Sequence, residues 1–274
     1  MLRHASIDIL AGVACMYLFV IRILDVSLQL PILFTLVLST WVIYTIDHIL
    51  DAYKLRESII KERYNWHLKN LNVLIWFIAV SCILILLSVL FLLPPDIILF
   101  GVLAGVLVII YFLLQGGHNV IENRYIYKEV WIGVVYMACV CGIPILQASK
   151  NVGSEHYLIF LNLYLLVQTN VFLYSWYESN IDIKEGLKTL ATKFGKKACG
   201  DLITLFLLLS LMVSLTILVW QGPEKLYFWP VIIMLSMNLM LGLIRFFPGF
   251  FIKNDRYGKL ADLVFVFPVV MLMV

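Results

Sequence analysis

Charged residues are scarce in this chain of 274 residues, and their scarcity decides its class. Only 14% of the residues are Asp, Glu, Lys or Arg, whereas 63% are hydrophobic and the mean hydropathy is +0.99. Soluble domains carry about 25% charged residues. The composition therefore excludes a soluble globular protein and predicts an integral membrane protein. The net charge of +3 is modest, so no nucleic-acid partner is expected.

Cysteine and histidine are also few, and they do not follow the spacing of a metal or redox site. The five cysteines all fall in or at predicted membrane spans, where Cys139 and Cys141 are interpreted as small packing residues. His48 and His67 have no second histidine at ligand spacing. These absences give no support for a zinc site or a disulfide framework.

Apolar windows of about 20 residues, the length that crosses a bilayer, recur along the whole chain. They predict an all-α, polytopic membrane protein with nine transmembrane helices in a single bundle and cap loops on the cytoplasmic side. The predicted spans are 5–27, 29–50, 71–93, 96–115, 128–147, 156–178, 199–220, 225–247 and 258–274.

The basic residues indicate the orientation of this bundle. With nine spans, every Lys and Arg falls on the face of the N-terminus except Arg22, Lys150 and Lys225. Lys and Arg accumulate in cytoplasmic loops. We therefore expect the N-terminus on the cytoplasmic side.

Two acidic pairs close the second and sixth predicted spans. Asp47 and Asp51 form the first pair, and Glu178 and Asp182 form the second. Residues at i and i+4 share one face of a helix, and ionisable groups at a membrane helix end indicate a functional site. Four facing carboxylates suit hard divalent cations and, through them, a diphosphate. The alternative is that each acid only pairs with a nearby Lys or Arg at the interface.

Each acidic pair continues a longer stripe and precedes a basic segment. Tyr44 lies three residues before Asp47, and Ser175 lies three residues before Glu178, so each stripe follows i, i+3, i+7. The matched stripes indicate two pseudo-symmetric halves with a site between them. The basic segments that follow contain Lys54, Arg63 and Lys188 among other cations. They are interpreted either as ordinary cytoplasmic flanking charge or as groups that neutralise a diphosphate.

At these residues the chain resembles the UbiA superfamily of intramembrane prenyltransferases, which have nine transmembrane helices and aspartate-rich motifs on the second and sixth. The run 186–195, Gly-Leu-Lys-Thr-Leu-Ala-Thr-Lys-Phe-Gly, is similar to the segment that follows the family's second motif. Residues 124–128 resemble its Tyr/Lys segment near the diphosphate, and residues 257–262 resemble the start of its last helix. The resemblance implies one UbiA-like domain over 1–274, with helices 1–4 and 5–8 as a pseudo-repeat and helix 9 added.

The chain departs from the family at the outer motif positions. Family motifs usually carry three acids, whereas Tyr44 and Ser175 replace the first acid here, and Glu178 stands at the middle position of the second motif. Four carboxylates remain, which is enough for one or two Mg²⁺ ions that share ligands with a diphosphate and water.

The resemblance implies an Mg²⁺-dependent enzyme that ionises a prenyl diphosphate within the bilayer and transfers the prenyl group to a lipophilic, aromatic acceptor. The alternative on the same scaffold is a terpene cyclase, and a third hypothesis is a lipid-binding or transport protein. Asp47, Asp51, Glu178 and Asp182 would hold Mg²⁺ and, with Lys128, carry the catalysis. The predicted substrate-binding residues are Tyr44, Ser175, Lys54, Arg63, Lys188, Asn170 and Tyr127.

Overall fold

The structure is a computed structural model that describes residues 6–55, 59–116, 127–148, 152–220 and 227–272. Within these ranges every regular element is helical, which confirms the predicted all-α class. The helices are α1 (Ile7–Ile23), α2 (Leu30–Lys54), α3 (Glu62–Lys69), α4 (Leu71–Phe91), α5 (Pro95–Gly116), α6 (Tyr127–Gln147), α7 (Ser154–Glu185), α8 (Leu190–Phe194), α9 (Lys196–Trp220), α10 (Phe228–Phe246), α11 (Pro248–Phe251) and α12 (Arg256–Leu263), with 3₁₀ segments at Lys253–Asp255 and Val264–Leu272.

Seven of these helices are long and apolar enough to cross a membrane, as expected of an integral membrane protein. They are α2, α4, α5, α6, α7, α9 and α10. The first predicted span corresponds to α1, a helix of 17 residues, and the ninth corresponds to α12 with the 3₁₀ segment after it. The count of nine crossings stays a prediction.

Helix α7 occupies the centre of the bundle and packs on α6, α9, α10 and α12. Its 32 residues rise about 48 Å, whereas a bilayer core is about 30 Å thick. The predicted span ended at residue 178, but the helix continues to Glu185. Gly186 ends it in the left-handed region with φ 70°, where the Leu187 amide donates to the Asp182 carbonyl oxygen at 2.8 Å.

A buried polar cluster fixes α7 against α9. The Asn162 amide donates to Ser214 Oγ at 2.7 Å, and Ser210 Oγ donates to Asn162 Oδ1 at 2.5 Å. All three side chains are fully buried among apolar neighbours. Such interhelical hydrogen bonds fix the register of membrane helices, because an apolar surface alone does not select one register.

The outer helices have the opposite character. Helix α4 buries only Leu74, Ser81 and Ser88, while Trp76 and Phe91 are largely exposed. An exposed apolar surface of this kind is what a lipid-facing helix requires. Helix α4 is therefore interpreted as a lipid-facing helix at the outside of the bundle.

Candidate functional site

A cavity of about 650 Å³ lies between α1, α2, α6, α7 and α12. Every predicted site residue whose side chain is described lines this one cavity. These residues are Tyr44, Asp47, Asp51, Lys54, Arg63, Lys128, Asn170, Ser175, Glu178, Asp182 and Lys188. Tyr127 begins α6, but its side chain lies outside the described part of the structure, as do residues 124–126.

The first acidic pair surrounds one lysine from α6. Lys128 Nζ lies 2.9 Å from Asp51 Oδ2 and 3.4 Å from Asp47 Oδ1. The Tyr111 phenol donates to Asp47 Oδ1 at 2.8 Å, and the Tyr64 phenol donates to Asp51 Oδ2 at 3.4 Å. The first motif therefore binds a cation from a distant helix, although its own helix ends in the basic residue Lys54.

The second acidic pair surrounds a lysine from the segment between α2 and α3. Lys61 Nζ lies 2.5 Å from Glu178 Oε2 and 2.6 Å from Asp182 Oδ1. Arg63 Nη2 approaches the same Glu178 oxygen at 3.9 Å, and the Tyr257 phenol donates to Glu178 Oε1 at 3.3 Å. Burial alone would lower the pKa of Lys61, but the adjacent Glu178 and Asp182 raise it above its usual range.

Glu185 fixes the position of Lys61. Its Oε1 accepts the backbone amides of Ile60 at 2.8 Å and Lys61 at 3.0 Å. Its side chain is fully buried, and its other oxygen lies 4.0 Å from Lys61 Nζ. The end of α7 therefore holds both the backbone and the ammonium group of the incoming loop.

The four motif acids form two separate pairs in this structure. Among the described residues, no group of three or more His, Cys, Asp and Glu side chains is arranged to hold a metal ion. A lysine occupies the space within each pair instead. The structure thus shows ion pairing of the acids, as in the alternative interpretation, together with the shared cavity, although the main partners are distant in sequence. The metal-binding role of the acids stays a prediction.

The run 186–195 has a clear structural role. Gly186 and Gly195 both have positive φ, 70° and 91°, and they bracket the short helix α8. Thr189 caps α8, since its side chain accepts the Thr192 amide. The glycines therefore let the chain leave α7, return along the cavity and enter α9, and Lys188 reaches the cavity from this turn.

The two positions that lack the family's outer acid differ in their surroundings. Tyr44 lines the main cavity and also a smaller apolar cavity of about 80 Å³ between α2, α5 and α6. Ser175 is buried, and its Oγ accepts the Ala191 amide at 3.1 Å in the first turn of α8. Glu129 accepts the neighbouring Leu190 amide at 2.7 Å. Ser175 and Glu129 therefore anchor α8.

The deeper part of the cavity combines apolar walls with one further polar cluster. Its walls include Ile9, Ile132, Val167, Val171 and Phe265. The Tyr174 hydroxyl lies 2.5 Å from Asp262 Oδ2 and 2.9 Å from the Gly258 carbonyl oxygen. The Asn170 amide donates to Asp262 Oδ1 at 3.5 Å.

Several residues of the site were not among those predicted from the sequence. Lys61, Tyr111, Glu185 and Tyr257 contact the motif acids or position their partners. Lys61 lies in the basic segment after the first motif, but its composition does not distinguish this lysine from its neighbours. Tyr111 lies in an apolar helix and gave no sequence signal beyond that of an interfacial aromatic residue.

No protein-family model matches the sequence, and neither does any curated protein. Two solved structures of a UbiA homologue from Archaeoglobus fulgidus share the fold. The one bound to DMAPP and Mg²⁺ has a TM-score of 0.64 at 12% identity, and the one bound to GPP and Mg²⁺ has a TM-score of 0.63 at 11% identity. Each alignment covers 100% of this chain and 99% of the other. The chain has the UbiA fold.

The UbiA fold spans every element that forms the cavity, because the similarity covers the whole chain. The cavity and its two acidic pairs therefore lie within the shared architecture and not in an added segment.

Proposed function

We propose that this protein is an intramembrane prenyltransferase that ionises a prenyl diphosphate with Mg²⁺ and transfers the prenyl group to a lipophilic, aromatic acceptor. The observation that carries the proposal is one cavity with the four motif carboxylates and several cations at one end and apolar walls at the other. The volume of about 650 Å³ falls within the roughly 300–1,000 Å³ usual for ligand sites. The two A. fulgidus structures contain DMAPP or GPP together with Mg²⁺, which supports this substrate class and cofactor.

The donor set of the cavity fits Mg²⁺. Asp47, Asp51, Glu178 and Asp182 offer only hard carboxylate oxygens, the ligands that Mg²⁺ prefers. Each pair already stabilises one positive charge, since a lysine ammonium group lies within it. When bound, Mg²⁺ would neutralise the charge that develops on the departing diphosphate.

The cations of the cavity would share that task. Lys61 and Lys128 lie against the acids, and Arg63, Lys54 and Lys188 line the same cavity. We propose that these groups turn from the carboxylates toward the diphosphate oxygens when the donor enters. Once they contact the diphosphate, these positive groups would stabilise the charge that develops on it as the C–O bond breaks.

The apolar walls would hold the prenyl chain away from water. The side chains of Ile132, Val167 and Phe265 exclude water from the deep part of the cavity, which protects a carbocation from capture. The rings of Tyr44, Tyr136 and Tyr174 also line the cavity, and an aromatic face stabilises a nearby cation.

The proposed orientation follows the basic residues. We propose that the N-terminus and both acidic pairs lie on the cytoplasmic side of the bilayer, because the Lys and Arg residues concentrate on that face. A water-soluble diphosphate would then enter at the polar end, while the prenyl chain and acceptor lie within the membrane.

The proposal is tested with purified protein, Mg²⁺ and labelled DMAPP or GPP. We expect diphosphate release that depends on Mg²⁺ and that is lost in Glu178→Gln. Asp201→Asn is the matched control, because Asp201 is an exposed carboxylate on α9 that does not line the cavity. Protein that binds neither donor nor Mg²⁺, with wild-type and Glu178→Gln indistinguishable, would contradict the proposal.

A terpene cyclase is the second candidate, and the position of Tyr44 favours it. A phenol stands where the family carries an acid, and it lines both the main cavity and the apolar cavity beside it. A changed residue at that point can change the fate of the cation without changing its formation. Diphosphate release together with a cyclic hydrocarbon, in the absence of any acceptor, would establish the cyclase. Release that requires an added acceptor would establish the transferase.

A further inference from the structure

One carboxylate of the cavity is not required for the diphosphate chemistry. Asp262, from α12, lines the cavity and contacts Tyr174 and Asn170 of α7 at 2.5 and 3.5 Å. Asn170, Tyr174 and Glu178 follow one another at four-residue spacing, so they lie on one face of α7. With a rise of 1.5 Å per residue, Tyr174 lies about 6 Å and Asn170 about 12 Å deeper than Glu178. Asp262 is therefore one to two helical turns below the proposed diphosphate site.

The surroundings of Asp262 show that a polar ligand group can be accepted there. Asn170 is only 9% exposed, and its Oδ1 atom is buried without a hydrogen-bond partner in the structure. A buried polar atom without a partner is costly, and such atoms need an explanation. The atom belongs to a cavity-lining side chain next to the Asp262 carboxylate. A polar group of a bound acceptor would satisfy it.

Each fate of a prenyl cation requires a proton acceptor. In transfer, the allylic C–O bond breaks and its electron pair leaves with diphosphate, and a π pair of the acceptor forms the new C–C bond. In cyclisation, a double bond of the same chain supplies that pair. In both cases a C–H bond then breaks, its electrons restore a double bond or an aromatic ring, and the proton must be removed.

We propose that Asp262 is the catalytic residue that accepts this proton. The inference rests on the proposed function and assigns the group that completes the reaction. The motif acids are less suited, because they lie at the polar end of the cavity, where each contacts a lysine beside the proposed diphosphate site. Asp262 faces the middle of the cavity, where the cation and the acceptor would meet, and its negative charge also stabilises the cation. Tyr174 and Asn170 orient its carboxylate by their hydrogen bonds.

The test separates ionisation from proton loss by measuring two quantities on each variant. Diphosphate release and the product mixture are followed with labelled GPP and Mg²⁺, with and without a phenolic acceptor. For Asp262→Asn, we expect diphosphate release within about threefold of wild type. The share of proton-loss products, meaning hydrocarbon or prenylated acceptor, should fall at least about tenfold, since general base catalysis contributes about 10²- to 10⁴-fold. The alcohol formed by water capture should rise correspondingly.

Three further variants distinguish a catalytic base from a residue that has only a structural role. Asp262→Glu keeps a carboxylate and should recover most of the proton-loss products. Tyr174→Phe removes the contact at 2.5 Å that orients the carboxylate but keeps the carboxylate and the aromatic ring, so its share of proton-loss products should fall clearly less than in Asp262→Asn. Asp8→Asn removes a carboxylate that lines the same cavity but whose Oδ1 accepts its own helix amide at Ile9, and its product mixture should be unchanged.

The outcomes that overturn the assignment are distinct from failure of the proposed function. An unchanged product mixture in Asp262→Asn would show that another group removes the proton. A Tyr174→Phe mixture equal to that of Asp262→Asn would show that the cluster is structural. If the wild-type protein releases diphosphate from no prenyl donor, the proposed function itself is wrong and the role of Asp262 falls with it.

Discussion

The two acidic pairs of the cavity carry the same charge but are held differently. The first pair, Asp47 and Asp51, contacts Lys128 at 2.9 to 3.5 Å, and the lysine side chain is 27% exposed. The second pair, Glu178 and Asp182, contacts Lys61 at 2.5 and 2.6 Å, and that side chain is 11% exposed. The second ion pair is shorter and less exposed to solvent, and the backbone amide of its lysine also donates to Glu185.

The difference indicates that the two acidic pairs share a charge pattern but not the way in which their lysines are held. Lys128 contacts the first pair through its ammonium group alone, whereas Lys61 contacts α7 through both its ammonium group and its backbone amide. We propose that the first pair exchanges its lysine more readily for incoming metal and donor, while the second pair keeps the loop before α3 in place. Each lysine also comes from a distant part of the chain, since Lys128 of α6 contacts the acids of α2 and Lys61, before α3, contacts the acids of α7.

The largest expected effect is the loss of the motif acids. Asp47→Asn and Glu178→Gln keep the shape of each side chain but remove a charge that the metal needs. We expect turnover to fall by at least about 10²-fold, the effect usual for removing one group that stabilises a developing charge. Labelled diphosphate release at saturating Mg²⁺ measures it. Wild-type turnover in either variant would exclude the carboxylate-metal proposal, and Asp201→Asn serves as the control.

The lysines should differ in their effect on stability. Lys61→Met removes the nearest counter-charge of two buried carboxylates, and Arg63, at 3.9 Å from Glu178, compensates only in part, so we expect a cost on the order of 3 kcal/mol. Lys128→Met should cost less, because its more exposed ion pairs are partly screened by solvent. Unfolding in detergent measures both, and added Mg²⁺ should restore part of each loss. Lys54→Met is the control, since that side chain is 39% exposed and lies 4.0 Å from Asp51. Equal losses for Lys61 and Lys128 would remove the distinction between the pairs.

The matched positions Tyr44 and Ser175 should also respond differently. Ser175→Ala leaves the Ala191 amide without its acceptor, which costs about 1–3 kcal/mol in free energy of unfolding. Its product mixture should not change. Tyr44→Phe should leave stability nearly unchanged but alter the product mixture more than the rate of diphosphate release. A Tyr44→Phe protein that binds Mg²⁺ but cannot ionise the donor would mean that the phenol takes a direct part in departure of the leaving group.

The smallest expected effects concern the phenols that donate to the acids. Tyr111→Phe removes a 2.8 Å bond to Asp47, and Tyr257→Phe removes a 3.3 Å bond to Glu178. We expect about a fivefold loss of diphosphate release for Tyr111→Phe, equal to about 1 kcal/mol for one hydrogen bond. Tyr257→Phe should lose less, because its bond is longer. A larger loss of diphosphate release for Tyr257→Phe than for Tyr111→Phe would show that the second acidic pair depends on its phenol more than the first pair does.

Much of the fold and part of the site could be predicted from the sequence, because hydrophobic length and helical spacing act locally. The four acids lie on α2 and α7 as their i, i+4 spacing predicts, and they line one cavity. The contacts of Lys61 and Glu185 could not be predicted in this way, since they join residues 121 to 125 positions apart. The sequence around the acids does not specify which of several loop lysines will contact them.

The last predicted span shows a local feature that hydropathy does not reveal. Residues 258–274 were expected to form one membrane helix, but the described part changes from α-helix to 3₁₀ helix at Val264. Pro268 lacks a backbone N–H and cannot bond to the carbonyl of Val264, the residue four positions earlier. Hydropathy measures only whether a segment is apolar, so it does not detect such a change.

The crossed pairing of lysines and acids also has a consequence for biogenesis. Asp51 is synthesised 77 residues before Lys128, whereas Lys61 is synthesised 121 residues before Asp182. A nascent chain that ends before α6 therefore carries two carboxylates at the end of α2 without the lysine that neutralises them. Carboxylates near a membrane helix end resist deep insertion. We therefore expect the final depth of α2 to be settled only after α6 has been synthesised, so that the second half of the chain completes the candidate site.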